Sequence, residues 1–429
     1  MIGAIADDFT GGTDVAVAFR RAGLRTVMLF SEPVADLELP DHDAVVIALK
    51  TRTIDSGDAV RQSLNAATWL RARGTTQLYF KYCSTFDSRP EGNIGPVVDA
   101  LANLLDAPRV AFVPSSPEHR RTQYMGDLFV GAELLAESPM RYHPLTPMTD
   151  SFVPRLLEIQ TQESVALIDH FEVRKGSDHL RTQLDAALSN GSRYIVIDAI
   201  SETDLAQIGE ACVDDTLVTG AAGLAGGLGA AHYARLSADV RLPLEDSAVD
   251  PIGSAAASAV LAGSCSSRTL EQVAHMRQDH DSYRLDALAF PDSQVLADAA
   301  LAWYETRTGY AAPLIYSSLP PAQLHEVQDA LGIERASAIL ETAMGYIAQG
   351  LVARGVRRIV VAGGETSGAV VTALDIGSGV IGDEAAPGVP WIYTPGGDPI
   401  ALLLKSGNFG DVTFLARTVD AEHVKEAAA

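Results

Sequence analysis

Basic residues are scarce in this chain of 429 residues, which carries 32 lysines and arginines against 55 aspartates and glutamates. The formal net charge of −23 excludes the basic surface that nucleic acids and anionic membranes require. Lysine is especially rare, and the chain has it only at positions 50, 81, 175, 405 and 425. An anionic ligand would therefore have to be bound by a few local groups, so a lysine that follows a strand is of particular interest.

Cysteines and long apolar runs are also few. Cys83, Cys212 and Cys265 are far apart and lack the spacing of a zinc site or a disulfide framework, so we expect reduced thiols. No window reaches the roughly 18 apolar residues of a membrane span, and Met1 is followed directly by an apolar strand pattern rather than by a charged leader. We expect a cytoplasmic globular protein, and the sequence leaves its oligomeric state open between a monomer and a homodimer.

Short apolar runs alternate with helical patterns along the chain, which predicts parallel sheets flanked by helices. The strands expected in the first part are Ile2–Ala6, Thr26–Phe30, Ala44–Ala48, Leu78–Lys81, Val110–Val113, Val165–Ile168, Tyr194–Asp198 and Leu217–Thr219. Those expected in the second part are Ala259–Ala262, Ser282–Leu285, Leu314–Ser317 and Arg358–Ala362. Helical patterns cover Gly57–Arg73, Ile94–Leu105 and Ser337–Arg354.

Between the two parts, residues 237–257 combine two prolines with acidic and small residues, a composition typical of a linker. We therefore predict an α/β protein of two domains, residues 1–236 and 258–420, each a mainly parallel sheet flanked by helices. In such sheets ligands bind beyond the carboxyl ends of the strands. We expect the two domains to face each other across an inter-domain cleft.

The first motif that could carry chemistry is ADDFTGGTD, residues 6–14, which follows the first expected strand. Asp7 and Asp8 leave the strand as adjacent carboxylates, and the glycines after them let a ligand approach the backbone. A carboxylate here can accept a proton from a substrate hydroxyl or hold it by a hydrogen bond, so both are candidate catalytic residues. For Asp14, with Thr13 beside it, we favour a structural role as the cap of the following helix.

The second motif is KYCSTFDSRPEGNIGP, residues 81–96, at the end of another expected strand. Lys81 offers a point charge for a carboxylate or phosphate, and Ser84, Asp87 and Asn93 offer groups that recognise hydroxyls. A polyhydroxy acid requires groups of these kinds. An Asx-turn followed by a capped helix is the alternative for Asp87 and Asn93, and it explains Lys81 and Ser84 less well.

Three turns rich in glycine and serine occur in the second part: GGETSG (363–368), AGSCSSRT (262–269) and the segment from GGDP to KSGNFG (396–410). A strand-to-helix turn of this kind presents backbone N–H groups and a helix N-terminus, which together bind phosphate. GGETSG lacks the Lys-Ser/Thr ending of a Walker A motif, so the three turns predict another kind of nucleotide site, with Lys405 available for phosphate. The glycine-rich stretch 219–229 lacks the G-x-G-x-x-G spacing and indicates tight helix packing.

Taken together, these motifs resemble the four-carbon acid sugar kinase family over nearly the whole chain. ADDFTGGTD, GGETSG and KSGNFG are similar to motifs found across that family. KYCSTFDS with GNIGPV, and HPLTPMTDS at 143–151, resemble its branch that acts on 3-oxo-tetronate. The resemblance implies an N-terminal sugar-acid-binding domain, a C-terminal nucleotide-binding domain, and ATP-dependent phosphorylation of the 4-hydroxyl of 3-dehydro-tetronate, also called 3-oxo-tetronate.

By similarity, Ser264 or Ser266, residues 364–367 and Gly407 line the ATP site. The whole set that we expect at the nucleotide is Ser264, Ser266, Gly363, Gly364, Glu365, Thr366, Ser367, Lys405 and Gly407. Because phosphoryl transfer depends mainly on alignment and charge neutralisation, we expect Mg²⁺ with the ATP and a closure of the domains that excludes water. No residue is assigned as a ligand of the metal.

On the substrate side, we expect Asp8, with Asp7 as the other candidate, to orient or deprotonate the attacking hydroxyl. Lys81 and Arg121 would neutralise the substrate carboxylate. One stretch departs from the family: PSSPEHRRT (114–122) has Arg120 where relatives usually have glycine, and Asp127 stands where histidine is common. If that glycine lets the backbone approach the substrate, Arg120 alters the pocket.

Three alternatives to this function stay open. The substrate could be D-threonate or D-erythronate, phosphorylated at the same hydroxyl. A nicotinamide-dependent oxidoreductase is an alternative of another class, because doubly wound sheets with glycine-rich turns are shared by many functions. The departure at Arg120 also leaves room for a non-catalytic sugar-acid sensor.

Overall fold

The structure is a computed structural model that describes residues 1–34, 36–142, 146–236, 250–253, 256–308 and 311–420. The chain divides into two compact units, Met1–Ser247 and Ala248–Ala429. Most of the predicted linker 237–257 lies outside the described residues, as do positions 143–145 of the HPLTPMTDS motif. The predicted domain boundaries and the inter-domain cleft therefore stay predictions.

The first unit is built on a parallel sheet. Its strands, in chain order with those of a smaller sheet, are β1 (Ile2–Ala6), β2 (Thr26–Leu29), β3 (Ala44–Ala48), β4 (Gln77–Lys81), β5 (Val110–Val113), β6 (Arg121–Tyr124), β7 (Asp127–Val130), β8 (Glu133–Leu134), β9 (Val165–Ile168), β10 (Tyr194–Ile197) and β11 (Leu217–Gly220). The order in the parallel sheet is β2-β3-β1-β4-β11-β5-β10-β9. Strands β6, β7 and β8 form a separate antiparallel sheet that the sequence analysis did not predict.

Helices cover this parallel sheet. They are α1 (Phe9–Arg21), α2 (Ser56–Ala72), α3 (Ile94–Leu104), α4 (Val153–Glu158), α5 (His170–Val173), α6 (Ser177–Ser189), α7 (Glu202–Cys212) and α8 (Ala222–Arg235). A Cβ atom on Gly227 of α8 would overlap the backbone of Leu205 in α7, so the two helices pack with their backbones in contact. The tight helix packing predicted from the stretch 219–229 is confirmed.

The second unit has a mixed sheet. Its strands are β12 (Ser258–Ala262), β13 (Ser282–Arg284), β14 (Leu314–Tyr316), β15 (Arg358–Ala362), β16 (Ser378–Ala386), β17 (Val389–Tyr393) and β18 (Ala401–Lys405), in the order β13-β14-β12-β15-β18-β17-β16. The first five in that order are parallel, and β17 is antiparallel to both its neighbours. The helices are α9 (Ser267–Met276), α10 (Ser293–Thr306), α11 (Pro321–Leu331), α12 (Ile333–Ala353), α13 (Gly364–Ala373) and α14 (Phe414–Val419).

The predicted α/β class with mainly parallel strands is confirmed, and each predicted strand occurs with its ends displaced by at most one residue. These strands were recognisable because a parallel strand buried on both faces is almost continuously apolar, as the fully buried β1 and β15 are. The predicted helix Ser337–Arg354 begins earlier, at Ile333, as α12.

In each unit, the parallel strands contain a point at which successive connections begin to add strands on the opposite side of the first strand. In the first unit, β1 leads through α1 to strands on one side of it, and β3 leads through α2 to β4 on the other side. In the second unit, β12 leads to β13 and β14 on one side, and the chain then crosses to β15 on the other. Adjacent strands whose connections leave in opposite directions open a crevice at their carboxyl ends, which is the usual ligand site of such sheets.

Candidate active site

The first unit brings charged side chains together where β1 and β4 end. The Arg52 guanidinium, in the loop after β3, donates to both oxygens of Asp7, from Nε at 2.9 Å and from Nη2 at 2.7 Å. Nη2 also donates to Oδ1 of Asp8 at 2.7 Å, and the Lys81 ammonium lies 3.5 Å from the same oxygen. Three of the predicted residues, Asp7, Asp8 and Lys81, thus lie together in the structure. Arg52, which was not predicted from the sequence, joins Asp7 to Asp8.

This group, which we call the charge cluster (Asp7, Asp8, Arg52 and Lys81), is largely withdrawn from water, and Asp7 and Lys81 are each 5% exposed. Burial opposes the ionisation of Asp8, but Lys81 and Arg52 hold the pKa of its carboxyl below the usual value. Burial also opposes the charge of Lys81, but Asp8 and Asp7 raise the pKa of its ammonium above the usual value. Both groups are therefore charged at neutral pH, because each has an opposite charge beside it.

Gly11 makes room for the Lys81 ammonium in the first turn of α1. Asp8 is the N-cap of this helix, and its Oδ1 accepts the Gly11 N–H at 3.0 Å. A Cβ atom on Gly11 would overlap the Nζ and Cε atoms of Lys81 and the capping oxygen of Asp8. Glycine is thus required here for close approach. The ammonium and the positive end of the helix macrodipole coincide at this point, which would attract an anion.

The capping role predicted for Asp14 and Thr13 is wrong. Asp8 caps α1, the helix starts at Phe9, and the Thr13 hydroxyl donates to the Phe9 carbonyl at 3.1 Å from inside the helix. Asp14 lies in the second turn, three residues after Gly11 and on the same face. Asp8 and Asp14 are both residue types that start helices, so the sequence alone did not decide between them.

Asp14 lies close enough to the charge cluster for Lys81 and Asp8 to affect its pKa. Its side chain is partly exposed, and among the described residues its carboxylate takes part in no hydrogen bond or ion pair. Burial raises the pKa of Asp14 to about 6, with Lys81 and His119 opposing the rise, and Asp8 and Glu118 adding to it. A carboxyl group with such a pKa, at a strand-end crevice, is a candidate functional group in its own right.

The segment after β4 folds back over the loop that carries Arg52. The Asn93 amide donates to the carbonyls of Thr51 at 2.6 Å and Ile54 at 3.0 Å, and it makes no capping bond to α3. Asp87 accepts the Thr85 hydroxyl at 2.6 Å. Both predicted residues thus shape the loop. They line a cavity of about 210 Å³, which is also lined by Arg52, Thr53, Ile54, Ser88, Arg89, Glu91, Gly92 and Thr146.

Ser84 is partly exposed in the turn between β4 and this cavity. Arg121, the first residue of β6, donates from Nη1 to the His119 carbonyl at 2.8 Å, and its Nε is buried with no hydrogen-bond partner among the described residues. Within the same residues, no hydrogen bond or ion pair joins Arg121 to Lys81. Their assignment to the substrate carboxylate as a pair stays a prediction.

The two departures from the family pattern have a structural setting. Arg120 has a φ of 57°, in the left-handed region, which explains why glycine suits this position. Its side chain is exposed and its carbonyl accepts the Gly131 N–H at 2.8 Å. Asp127 begins β7, where burial raises the pKa of its carboxyl. Neither residue touches the charge cluster by a hydrogen bond or ion pair among the described residues.

The second unit brings small residues together where β12, β15 and β18 end. Ser266 caps α9 by accepting the Thr269 N–H at 3.3 Å. A Cβ atom on Gly407 would lie only 2.5 Å from the Ser264 hydroxyl and 2.7 Å from that of Ser266. Gly363, with a φ of 133°, precedes α13, whose first residue is the exposed Gly364. The three turns predicted from the sequence therefore meet, with two helix N-termini beside them.

The other predicted nucleotide residues differ in what their side chains do. Glu365 is exposed in the first turn of α13, and Thr366 is buried with its hydroxyl against Gly263. The Ser367 N–H and hydroxyl both donate to the Gly363 carbonyl, at 2.9 and 2.7 Å. The hydroxyl of Ser367 thus holds the first turn of the helix, and its contact with a nucleotide stays a prediction.

Lys405 is 1% exposed at the end of β18. Its ammonium donates to Thr269 Oγ1 at 3.2 Å and to the carbonyls of Ser406 at 3.1 Å and Gly407 at 3.0 Å. Burial lowers the pKa of Lys405 to about 8, and Arg268 adds to this effect. Lys405 thus braces the KSGNFG turn, and a phosphate contact, which stays a prediction, would require it to release one of these acceptors.

A cavity of about 350 Å³ is lined by two of the three turns, 262–269 and 363–368. One wall carries predicted residues, namely Ser264, Gly363, Gly364, Glu365 and Thr366. The other wall is mostly apolar and comes from α11, α12 and the loop before them, with Leu319, Leu324, Val327, Leu340 and Met344. This wall was not predicted from the sequence, because a helix whose apolar face lines a cavity has the same periodicity as a helix whose apolar face packs in a core.

The described part of the chain shows neither a metal-binding cluster of side chains nor a membrane-spanning helix. No three histidine, cysteine, aspartate or glutamate side chains converge there as a protein-only metal site would need. No helix there combines the length and the apolar character that crossing a bilayer demands.

Two family descriptions match the chain: a sugar-binding N-terminal domain over residues 2–228 and a nucleotide-binding C-terminal domain over residues 259–415. The chain belongs to the four-carbon acid sugar kinase family. In this kinase the charge cluster lies within the sugar-binding match, and the 350 Å³ cavity lies within the nucleotide-binding match. The resemblance drawn from the motifs is confirmed.

The kinase is similar to proteins along its full length. It is 45% identical over 418 residues to the 3-oxo-tetronate kinase of Cupriavidus necator, which covers 96% of this chain and 95% of the relative. It is 45% identical over 422 residues to that of Burkholderia multivorans, with 98% and 97% covered. The crystal structure of Haemophilus influenzae protein HI1011 is 37% identical and covers 100% of both chains, with a TM-score of 0.84.

Proposed function

We propose that this member of the four-carbon acid sugar kinase family is a 3-oxo-tetronate kinase, which transfers the γ-phosphoryl group of ATP to the 4-hydroxyl of 3-oxo-tetronate. The geometric observation that carries the proposal is the buried charge cluster in the sugar-binding domain, where Lys81 and Arg52 flank Asp8. A small hydroxylated anion needs this combination of fixed cations and a carboxylate. The shared length and identity with the named relatives support the choice of acid.

The nucleotide part of the proposal rests on the cavity in the second unit. Its apolar wall, which includes Leu340 and Met344, suits the flat face of an adenine base. Its opposite wall offers the N-terminus of α13 at Gly364 and the turn at Ser264, which suit phosphate groups. ATP is therefore the phosphoryl donor that we assign to this cavity.

Mg²⁺ belongs to the same proposal. Proteins usually hold Mg²⁺ through one or two carboxylates together with substrate phosphates and water, not through a closed cage of side chains. The exposed Glu365 carboxylate and the Ser264 hydroxyl, both on the cavity wall, fit an ion held in this way. When bound, the ion would supply neutralisation of the charge on the transferring phosphoryl group.

In the sugar-binding domain, we assign Lys81 and the N-terminus of α1 to the attraction of the sugar acid. Arg52 holds Asp7 and Asp8 in place beside Lys81. Because the cations are already ordered by these ion pairs, little side-chain entropy is lost when an anion binds. The neighbouring cavity of about 210 Å³, with Arg52 and Asp87 in its wall, offers further polar contacts for hydroxyl groups.

The test is a steady-state kinase assay of the full chain with ATP and Mg²⁺ over 3-oxo-tetronate, D-threonate and D-erythronate. ADP release is coupled to a spectroscopic readout, and ³¹P NMR locates the phosphate on the product. We expect a kcat/KM for 3-oxo-tetronate at least tenfold above that for either other acid, with phosphate on C4. A preference for D-threonate or D-erythronate would transfer the assignment to that acid, and binding of sugar acid and ATP without ADP release would indicate a sensor.

A further inference from the structure

We propose that Asp14, and not Asp7 or Asp8, accepts the proton of the attacking hydroxyl. The inference rests on the proposed function, because it names the base of that phosphoryl transfer. It begins from a difference among the three carboxylates at the carboxyl ends of β1 and β4: two of them are engaged by cations and the third is not.

Asp7 is unsuited to the role because both of its oxygens accept hydrogen bonds from Arg52, at 2.9 and 2.7 Å, and the residue is 5% exposed. Asp8 accepts the Arg52 guanidinium and the Gly11 N–H on Oδ1 and has Lys81 beside that oxygen. These donors stabilise the charged form, so the carboxylate is a weak base. Both residues are better described as positioning groups for Arg52 and Lys81.

Asp14 has the geometry that the other two lack. It lies one turn after Gly11 on the same face of α1, and side chains of a helix lean toward its N-terminus, so its carboxylate points back to the place where Gly11 admits the Lys81 ammonium. Lys81 lies 3.5 Å from Asp8 Oδ1 and also interacts electrostatically with Asp14. The partly exposed Asp14 carboxylate has no hydrogen bond or ion pair within the described residues, so its oxygens are available to a ligand.

The charged groups around Asp14 support the same role. Lys81 and Asp8 face it from the ends of β4 and β1, and His119 and Glu118 face it from the loop after β5. Their combined effect with burial is a pKa of about 6, close enough to neutral pH for a general base to be both deprotonated and a useful proton acceptor. An anion drawn to Lys81 would bring its hydroxyl groups within the neighbourhood of this carboxylate.

The reaction balances as follows. The 4-hydroxyl oxygen forms a bond to the γ-phosphorus of ATP while the bond between that phosphorus and the β–γ bridging oxygen breaks, and ADP departs with the electron pair of that bond. The hydroxyl proton passes to the Asp14 carboxylate, which becomes a carboxylic acid. It returns the proton to water after the phosphorylated product leaves. Asp14 is therefore regenerated in each cycle.

The experiment compares the full-length wild type with Asp14→Asn, Asp14→Glu and Asp8→Asn, measuring kcat and KM for 3-oxo-tetronate from pH 5 to 9. For Asp14→Asn we expect kcat to fall by about 10²- to 10⁴-fold, the usual contribution of a general base, with KM changed less than threefold. The wild-type kcat should rise with pH through an apparent pKa near 6. This acidic limb of the pH profile should be absent in Asp14→Asn. Titration of the nucleotide phosphates affects both proteins alike, so the difference between them isolates Asp14.

Several outcomes decide the matter. Asp14→Glu, which keeps a carboxylate, should recover at least tenfold over Asp14→Asn, and Asp178→Asn, an exposed carboxylate on α6, serves as the matched control with unchanged kinetics. Turnover of Asp14→Asn above a tenth of wild type, or an unchanged limb near pH 6, would overturn the assignment of Asp14 alone. A wild type that releases no ADP with any four-carbon acid would instead overturn the proposed function, and the role of Asp14 with it.

Discussion

In both units, the first strand of the parallel sheet lies beside the fourth strand in chain order, β1 beside β4 and β12 beside β15. The residues that follow these strands differ in kind. In the first unit they are charged, with Asp8, Arg52 and Lys81 in mutual contact. In the second they are small: Ser264 and Gly363 line a cavity, and Gly407 packs against the Ser264 hydroxyl.

The difference teaches that one strand order can serve two ligands of different chemistry. A sugar acid is small and offers a single carboxylate, so it needs side-chain charges that are fixed in advance. A triphosphate offers many oxygens, and backbone N–H groups at helix N-termini can bind them without a buried counter-charge. Variants that disturb one crevice should therefore leave binding at the other unchanged, and the first of four predictions tests this independence directly.

The largest effect is expected for Lys81→Met. This change removes the buried cation that pairs with Asp8, a loss of about 2–5 kcal/mol for the interactions of a buried charge pair. We expect kcat/KM for the sugar acid to fall at least about 100-fold, since each 1.4 kcal/mol is tenfold. Calorimetric titration with ATP should give an unchanged affinity.

Lys175→Met is the control for Lys81→Met, because the Lys175 side chain is half exposed and pairs with Glu172 at the protein surface. Lys175→Met should match wild type in kcat/KM for the sugar acid and in the affinity for ATP. If kcat/KM for the sugar acid in Lys81→Met stayed within threefold of wild type, the role of the charge cluster would be contradicted.

The next largest effect is expected for Gly407→Val in the second unit. The new side chain would press on the hydroxyls of Ser264 and Ser266, at 2.5 and 2.7 Å from its Cβ, and overpacking of this kind costs about 1–3 kcal/mol. We expect ATP affinity, measured by calorimetry, to fall about 10- to 100-fold. Gly377→Val, where a Cβ meets no atom within 4 Å, should leave it unchanged. Equal ATP affinity in both variants would remove the KSGNFG turn from the nucleotide site.

A smaller effect is expected for Gly11→Ala. Alanine favours the helix by about 1 kcal/mol, but its methyl group would occupy the place of the Lys81 ammonium and move it away from Asp8. We expect the sugar-acid KM to rise about tenfold while thermal stability stays near that of wild type. Gly226→Ala in α8, whose Cβ would have open space, gains the same helix propensity without the displacement. Identical KM values for the two variants would show that Lys81 tolerates the methyl group.

The smallest effect concerns stability and the titration of Asp14. Because the pKa of Asp14 is raised from 3.8 to about 6, the folded state binds its proton more tightly than the unfolded state does. The stability that this carboxyl contributes is therefore present below pH 4 and is lost as the pH rises through 6. Asp14→Asn should then exceed wild type in free energy of unfolding by on the order of 1 kcal/mol at pH 7.5 and not at pH 4. Urea unfolding at both pH values measures this, and a variant less stable at pH 7.5 would contradict it.

All the predicted strands occur, but β16, β17 and the parallel β18 were not predicted from the sequence. A strand such as β15 is recognisable because all five of its residues are buried and the four after Arg358 are apolar. β16 reads differently, since it carries Asp383 and Glu384 and is exposed over part of its length. An antiparallel strand that is partly open to solvent needs no continuous apolar run, so the pattern of β16 resembled that of a loop.

The candidate site was predicted in its positions more than in its roles. Asp8 and Lys81 were found because polar groups at the carboxyl ends of parallel strands collect at one edge. Arg52 was missed because its loop carries no glycine-rich or acidic motif, and only the fold brings it to Asp7. Asp14 was given the wrong role because two aspartates six residues apart could each begin the same helix, and the extended backbone that selects Asp8 is visible only in three dimensions.

Asp8 has two duties in one side chain, since the oxygen that starts α1 also faces both cations. A relative that evolved toward another substrate could not replace the Asp8 carboxylate without losing the N-cap of α1. We therefore expect Asp8 to vary little even among relatives that act on different substrates. Mutational scans scored by growth would report Asp8 as indispensable for reasons of architecture. They would rank it above the residue that handles the proton.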